Sequence, residues 1–135
     1  MTAARRLSLA GLVLLMAGSG VLHLRKPEIY LPIVPRFLGN AEFYVFWSGI
    51  LELAAAAFLV LPRTRRPAAM LTAAILIGVF PANVQMALDG GQPGGGWYTG
   101  STVGLWLRLP LQPLLIWWAW TFARTGKAEP VQKGV

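Results

Sequence analysis

Four apolar stretches, at residues 7–24, 43–61, 68–88 and 105–122, take up most of a 135-residue chain. About 20 consecutive apolar residues suffice for a helix to cross a bilayer. At about 1.5 Å of rise per residue, each stretch comes close to the thickness of a hydrocarbon core. With 56% of residues apolar and 13% charged, a water-soluble fold would lack the polar surface to cover itself. The expected architecture is therefore all-α: a polytopic membrane protein with four transmembrane helices in an antiparallel bundle. Residues 1–126 form its single domain and residues 127–135 a short cytoplasmic tail.

The net charge of +7 does not signal nucleic acid, because the basic residues are spread over the helix ends. Arg5 and Arg6 precede the first stretch, Arg63, Arg65 and Arg66 sit between the second and third, and Arg124, Lys127 and Lys133 follow the fourth. If the helices alternate, all of these share one side. The other side holds Arg25, Lys26 and Arg36 in the first link and no Lys or Arg between the third stretch and Leu105. The positive-inside rule then puts both termini in the cytoplasm. A membrane with both termini on its cytoplasmic side is the expected location.

The first stretch also has the outline of a secretory signal, with a basic start, an apolar middle and small residues after it. Its apolar run continues past those small residues, and its removal would reverse the charge balance, so it reads as a span. With no cysteine, the chain has no disulfide, thiolate metal site or attached c-type haem of its own. A single histidine cannot supply paired axial haem ligands. No intrinsic cofactor and no metal site are expected.

Proline at 27, 32 and 35 prevents a continuous helix in the first link, whose Ile29, Tyr30, Leu31, Ile33 and Val34 suit a re-entrant or surface-lying segment. The second link is rich in glycine and carries Trp97 and Tyr98. Trp106, at one end of the last stretch, and Trp117, Trp118 and Trp120, at the other, read as interface anchors.

Polar residues inside the apolar stretches mark the candidate site, since such groups are costly and usually face the bundle interior. They are His23, Glu52, Asn83, Gln85, Arg108 and Gln112. Glu52 falls near the middle of its stretch. Gln112 lies about 10 Å and Asn83 about 7 Å from the outer ends of theirs, with Arg108 and Gln85 shallower and His23 at the rim. All six thus occupy the outer half or the midplane, as a polar pocket opening outward and ending at Glu52 would require. Ser48, Glu52 and Ala56 share a helical face beside Gly49 and Ala55, and small residues permit close helix contact. Asn83 and Gln85 are two apart and cannot both point inward. Pro81 frees the carbonyl of Ile77, which requires a partner and places that side of the helix against protein. The plain alternative for every one of these residues is packing: an ion pair or hydrogen-bond network that fixes the helices.

The segments "SGILELAAAAFLVLPRTRR" (48–66), "VFPANVQMA" (79–87), "WLRLPLQPLLIWWA" (106–119) and "GVLHLRKP" (20–27) give the chain a resemblance to the DoxX family of small bacterial membrane proteins. The likeness covers most of residues 7–123, although the glycine-rich link at 89–104 is longer than is usual there. The family takes its name from a membrane component of archaeal thiosulfate:quinone oxidoreductase, and other members are linked to oxidative-stress and sulfur-redox complexes. The resemblance implies a membrane subunit or anchor of a quinone-linked or oxidative-stress redox system. At most it would be a non-catalytic or quinone-interacting part of an oxidoreductase. Quinone would be the ligand, with Arg108 and His23 donating to its carbonyls and Glu52 relaying protons. Partners would be the lipid bilayer, redox-protein subunits or further copies of the chain. Two other classes compete: a structural or assembly protein without chemistry, and a small-solute transporter built around a midplane carboxylate.

Overall fold

The computed structural model describes residues 1–91 and 102–124, which are helical with no strand among them. Helix α1 runs Ala3–Arg25, α2 Ala41–Val60, α3 Arg65–Leu88 and α4 Thr102–Arg124. The tail at 127–135 and the pair Trp97 and Tyr98 lie outside the described residues.

Each helix starts before its apolar run does, and in α1 and α2 a local polar residue caps that start. Thr2 Oγ1 accepts the Arg5 N–H at 3.2 Å, which satisfies an orphan donor of the first turn and draws Arg5 and Arg6 into α1. Asn40 Oδ1 does the same for Phe43 N–H at 3.2 Å, and Glu42 in that first turn suits the positive helix end. The stops are equally local. Helix α1 ends at Arg25 and α2 at Val60, each shortly before a proline that disfavours helical backbone in the residue preceding it. Helix α3 closes on glycine: Gly90 and Gly91 have φ of 76° and 92° and return their N–H groups to Ala87 O and Met86 O. That pair of bonds is the Schellman arrangement.

Helices α1, α2 and α3, of 23, 20 and 24 residues, are long and apolar enough to cross a membrane. Helix α4 matches them in length at 23 residues and carries four tryptophans, two prolines, Arg108 and Gln112. Buried residues from all four form one cluster, including Leu9 and Leu12 of α1, Leu59 of α2, Ala68 and Ala69 of α3, and Phe122 and Ala123 of α4. The first link folds into three short 3₁₀ turns, Pro27–Ile29, Leu31–Ile33 and Arg36–Leu38. Its Ile33 is buried against Met86, Ala87 and Leu105, with Tyr30 packed on the same cluster. The link is thus held down on the helices rather than extended from them.

Candidate functional site

Two glycines bring the ionisable residues of α1 and α2 together. A Cβ on Gly20 would lie 2.8 Å from Leu53 Cγ and 2.9 Å from Gly49 O, and one on Gly49 would lie 2.9 Å from His23 Cβ. The backbones therefore approach to a separation that only glycine permits. Gly20 stands three residues before His23 and Gly49 three before Glu52, so each glycine lies on the same face as the ionisable residue one turn on. Close approach at the glycines consequently drives His23 and Glu52 toward one another.

His23 Nδ1 lies 3.1 Å from Glu52 Oε2, and both residues are buried, at 8% and 4% exposure. The same nitrogen is 2.8 Å from Ser19 O, the closer of the two acceptors. An Nδ1–H aimed at that carbonyl is turned away from the carboxylate, and Glu52 Oε2 is left without a hydrogen-bond donor among the described residues. The contact between His23 and Glu52 is thus not a well-aligned hydrogen bond, and it is an ion pair when the imidazole is protonated. Tyr30, from the first link, covers the imidazole: the rings stack at 3.8 Å with an interplanar angle of 14°.

Asn83, Arg108 and Gln112 form a second cluster between α3 and α4. Arg108 Nη2 donates to Asn83 Oδ1 at 3.1 Å and Nη1 to Met86 Sδ at 3.2 Å. Asn83 Nδ2 donates to Gln112 Oε1 at 3.2 Å, and Gln112 Nε2 donates to Leu76 O at 2.7 Å. Asn83 and Gln112 are each buried and each bonded through both ends of the amide. Gln85 is turned away from this cluster and donates to Asp89 Oδ1 at 3.0 Å on the exposed side. The two-residue spacing requires that divergence.

The six residues do not line one pocket. Glu52 takes His23 as its partner and Arg108 takes Asn83, so the carboxylate and the arginine belong to different helix pairs. Tyr30 lies between the groups, stacked on His23 and packed on the cluster that includes Met86. A cleft of about 420 Å³ does open nearby, lined among the described residues by Pro32, Val34, Arg36, Phe37, Gln85 and Asp89. Of the six, only Gln85 reaches it. Pro81 also differs from expectation: its ring is exposed while Asn83 is buried, so the proline faces outward and the asparagine faces protein. The donor supplied by Gln112 goes to Leu76 O, one residue before the Ile77 carbonyl that Pro81 frees.

Tyr30 was read only as part of the first link, and Met86 enters these clusters without having been singled out in the sequence. The glycine placed three residues before His23 and again before Glu52 was the available signal for that pair. Among the described residues, no group of three or more His, Cys, Asp or Glu is arranged to hold a metal ion. Chemically, the two clusters differ. The α3–α4 network is saturated in its amides and cross-links two helices, whereas the α1–α2 pair keeps a carboxylate oxygen without a donor beside an imidazole.

No curated protein and no solved structure matches the chain. A family model described as a domain of unknown function (DUF8561) matches residues 12–123, which include His23, Glu52 and the whole α3–α4 network. The chain belongs to the DUF8561 family.

Proposed function

We propose that the chain is a DoxX-like integral membrane protein of the bacterial cytoplasmic membrane, with α1–α4 spanning as an antiparallel bundle and both termini cytoplasmic. In this reading it is a membrane subunit or anchor of a quinone-linked or oxidative-stress redox system, and the His23–Glu52 pair is its chemically active element. The observation that carries the reading is Glu52 itself, 4% exposed within an apolar helix, beside an imidazole, with no donor to Oε2 among the described residues. Buried ionisable groups in spanning helices are rare and generally functional. A carboxylate and an imidazole side by side can each take up and release a proton. The sequence segments that resemble the DoxX family supply the redox context, and quinone is the ligand they suggest. The test is quinone-linked activity of the native membrane with Glu52→Gln in place of the wild type. Loss of activity in correctly inserted protein supports the assignment, and undiminished activity removes it.

A structural role is the second reading, favoured by one observation. Asn83 and Gln112 use both ends of their amides within the protein, which is how a packing network behaves. Native mass spectrometry of gently extracted protein separates the two readings. A retained quinone or a stoichiometric redox subunit supports the first, and a homo-oligomer carrying only ordinary lipid supports the second.

A further inference from the structure

One end of the molecule gathers the start of α1, the α2–α3 turn and the end of α4. Arg5 of α1 donates to Thr121 O of α4 at 3.0 Å, and its guanidinium lies 4.6 Å over the Phe122 ring. Arg65 donates to Leu59 O and Val60 O, both at 3.0 Å, across the α2–α3 turn. These two arginines are engaged in holding the end together. Arg6, Arg63, Arg66 and Arg124 stand at the same end and are exposed. The acidic residues of the described chain, Glu28, Glu42, Glu52 and Asp89, all lie in the opposite half or at the middle of α2, so among the described residues nothing acidic at this end offsets the four cations. Next to them the helix surfaces are apolar and exposed, with Leu7 at 75%, Trp117 at 64% and Leu61 at 52%.

We infer that this end is a binding surface for acidic phospholipid, with the headgroup phosphates on Arg6, Arg63, Arg66 and Arg124 and the acyl chains along the exposed apolar flank. A guanidinium matches a phosphate through paired N–H donors, and basic clusters flanking a spanning helix attract anionic headgroups. A free anion would use the arginines alone, whereas a lipid also uses the apolar surface beside them. The inference rests on the proposed membrane-spanning reading.

The test uses the full chain expressed in membranes, washed with alkaline carbonate, extracted in mild detergent and offered phosphatidylglycerol and phosphatidylcholine in equal amounts. Native mass spectrometry reads the lipid retained. The wild type should keep phosphatidylglycerol in preference, and the preference should fall about fivefold per arginine replaced by glutamine. A variant with the four arginines changed to lysine should keep most of the preference, which guards against misfolding as the cause. Equal retention of both lipids by the wild type, or an undiminished preference in the fourfold Arg→Gln variant, overturns the inference. Loss of the preference in excess inorganic phosphate does so too, by showing a free-anion site. Release of the chain by carbonate overturns the spanning reading along with it. A chain that resists carbonate but retains the two lipids equally fails this inference alone.

Discussion

His23 Nδ1 on α1 stands 3.1 Å from Glu52 Oε2 on α2, yet its closer acceptor, at 2.8 Å, is the carbonyl of Ser19 one turn back on its own helix. The pair is therefore held by position, which comes from the glycine contact one turn away, and by charge when the imidazole is protonated. This yields a definite energetic expectation. Removing one member of a buried ion pair leaves the other uncompensated, at a cost of about 3–5 kcal/mol. His23→Ala should lower stability in detergent by that order. Glu52→Gln removes the charge and should cost less, and the double variant should recover part of the His23→Ala loss. A double-mutant cycle by reversible unfolding measures it. Coupling of about 0.5–3 kcal/mol is expected for residues in contact, and additive losses would show that the two do not interact.

Gly49 tests the positioning directly. A methyl group there meets His23 Cβ at 2.9 Å and Gly20 O at 3.1 Å, and backbone cannot move aside as a flexible side chain can. Gly49→Ala should destabilise the protein by about 1–3 kcal/mol through overpacking. Gly18→Ala on the same α1 helix, where nothing lies within 4 Å of the added carbon, should be neutral or slightly stabilising through helix propensity. Thermal unfolding of the two variants side by side reads the contrast, and equal shifts would remove the glycine contact from the explanation.

The helices were legible in the sequence because apolar runs of this length have few alternatives, and the divergence of Asn83 from Gln85 followed from helical spacing alone. Partner choice was not legible. Glu52 and Arg108 are an acid and a base within apolar stretches, and charge alone would join them. What separates them is helix neighbourhood: Gly20 and Gly49 press α1 on α2, while Asn83 and Gln112 tie α3 to α4. Pro81 misled for a related reason. A proline in a span calls for a partner for the carbonyl it frees, but its ring can still face outward, as it does here.

Gln112 is the residue on which the α3–α4 network depends. It bonds Leu76 O at 2.7 Å and Asn83 Nδ2 at 3.2 Å, both buried. Gln112→Leu keeps the approximate volume and leaves Asn83 Nδ2 without its acceptor. A buried group deprived of its partner costs about 1–3 kcal/mol. Gln85→Leu, whose only described bond is to exposed Asp89, should change stability by less than about 0.5 kcal/mol. Chemical unfolding of both variants in the same detergent decides the matter, and an equal loss for the two would mean that the Gln112 hydrogen bonds do not hold α3 to α4.

Tryptophans of α4 separate in the same way. Trp118 Nε1 donates to Ser8 Oγ at 2.8 Å, and its ring lies 3.3 Å from where a Cβ on Gly11 would sit, so it joins α4 to α1. Trp117 is 64% exposed and suits the headgroup region. Trp118→Phe should cost about 1 kcal/mol for the lost hydrogen bond, plus a packing loss. Trp117→Phe should leave detergent stability nearly unchanged. Should the two variants unfold at the same temperature, the assignment of Trp118 to the α1–α4 contact would be wrong.

Arg65 and Arg66 are adjacent in sequence and opposite in role. Arg65 reaches back across the α2–α3 turn and donates Nε–H to Leu59 O and Nη2–H to Val60 O, both at 3.0 Å. Those carbonyls belong to the last turn of α2, where no further helical N–H can reach them and where a positive charge is favoured. Arg66 is exposed and serves the charged end of the molecule. Arg65→Gln should therefore lower stability by about 1–3 kcal/mol, since hydrogen bonds to a charged donor are among the stronger ones. Arg66→Gln should stay within about 0.5 kcal/mol of the wild type. Lipid retention should respond in the reverse order, falling for Arg66→Gln more than for Arg65→Gln. Thermal unfolding and lipid retention measured on the same two preparations give four readings from one turn. If stability and lipid preference fell together in either variant, the division of labour between the two arginines would not hold.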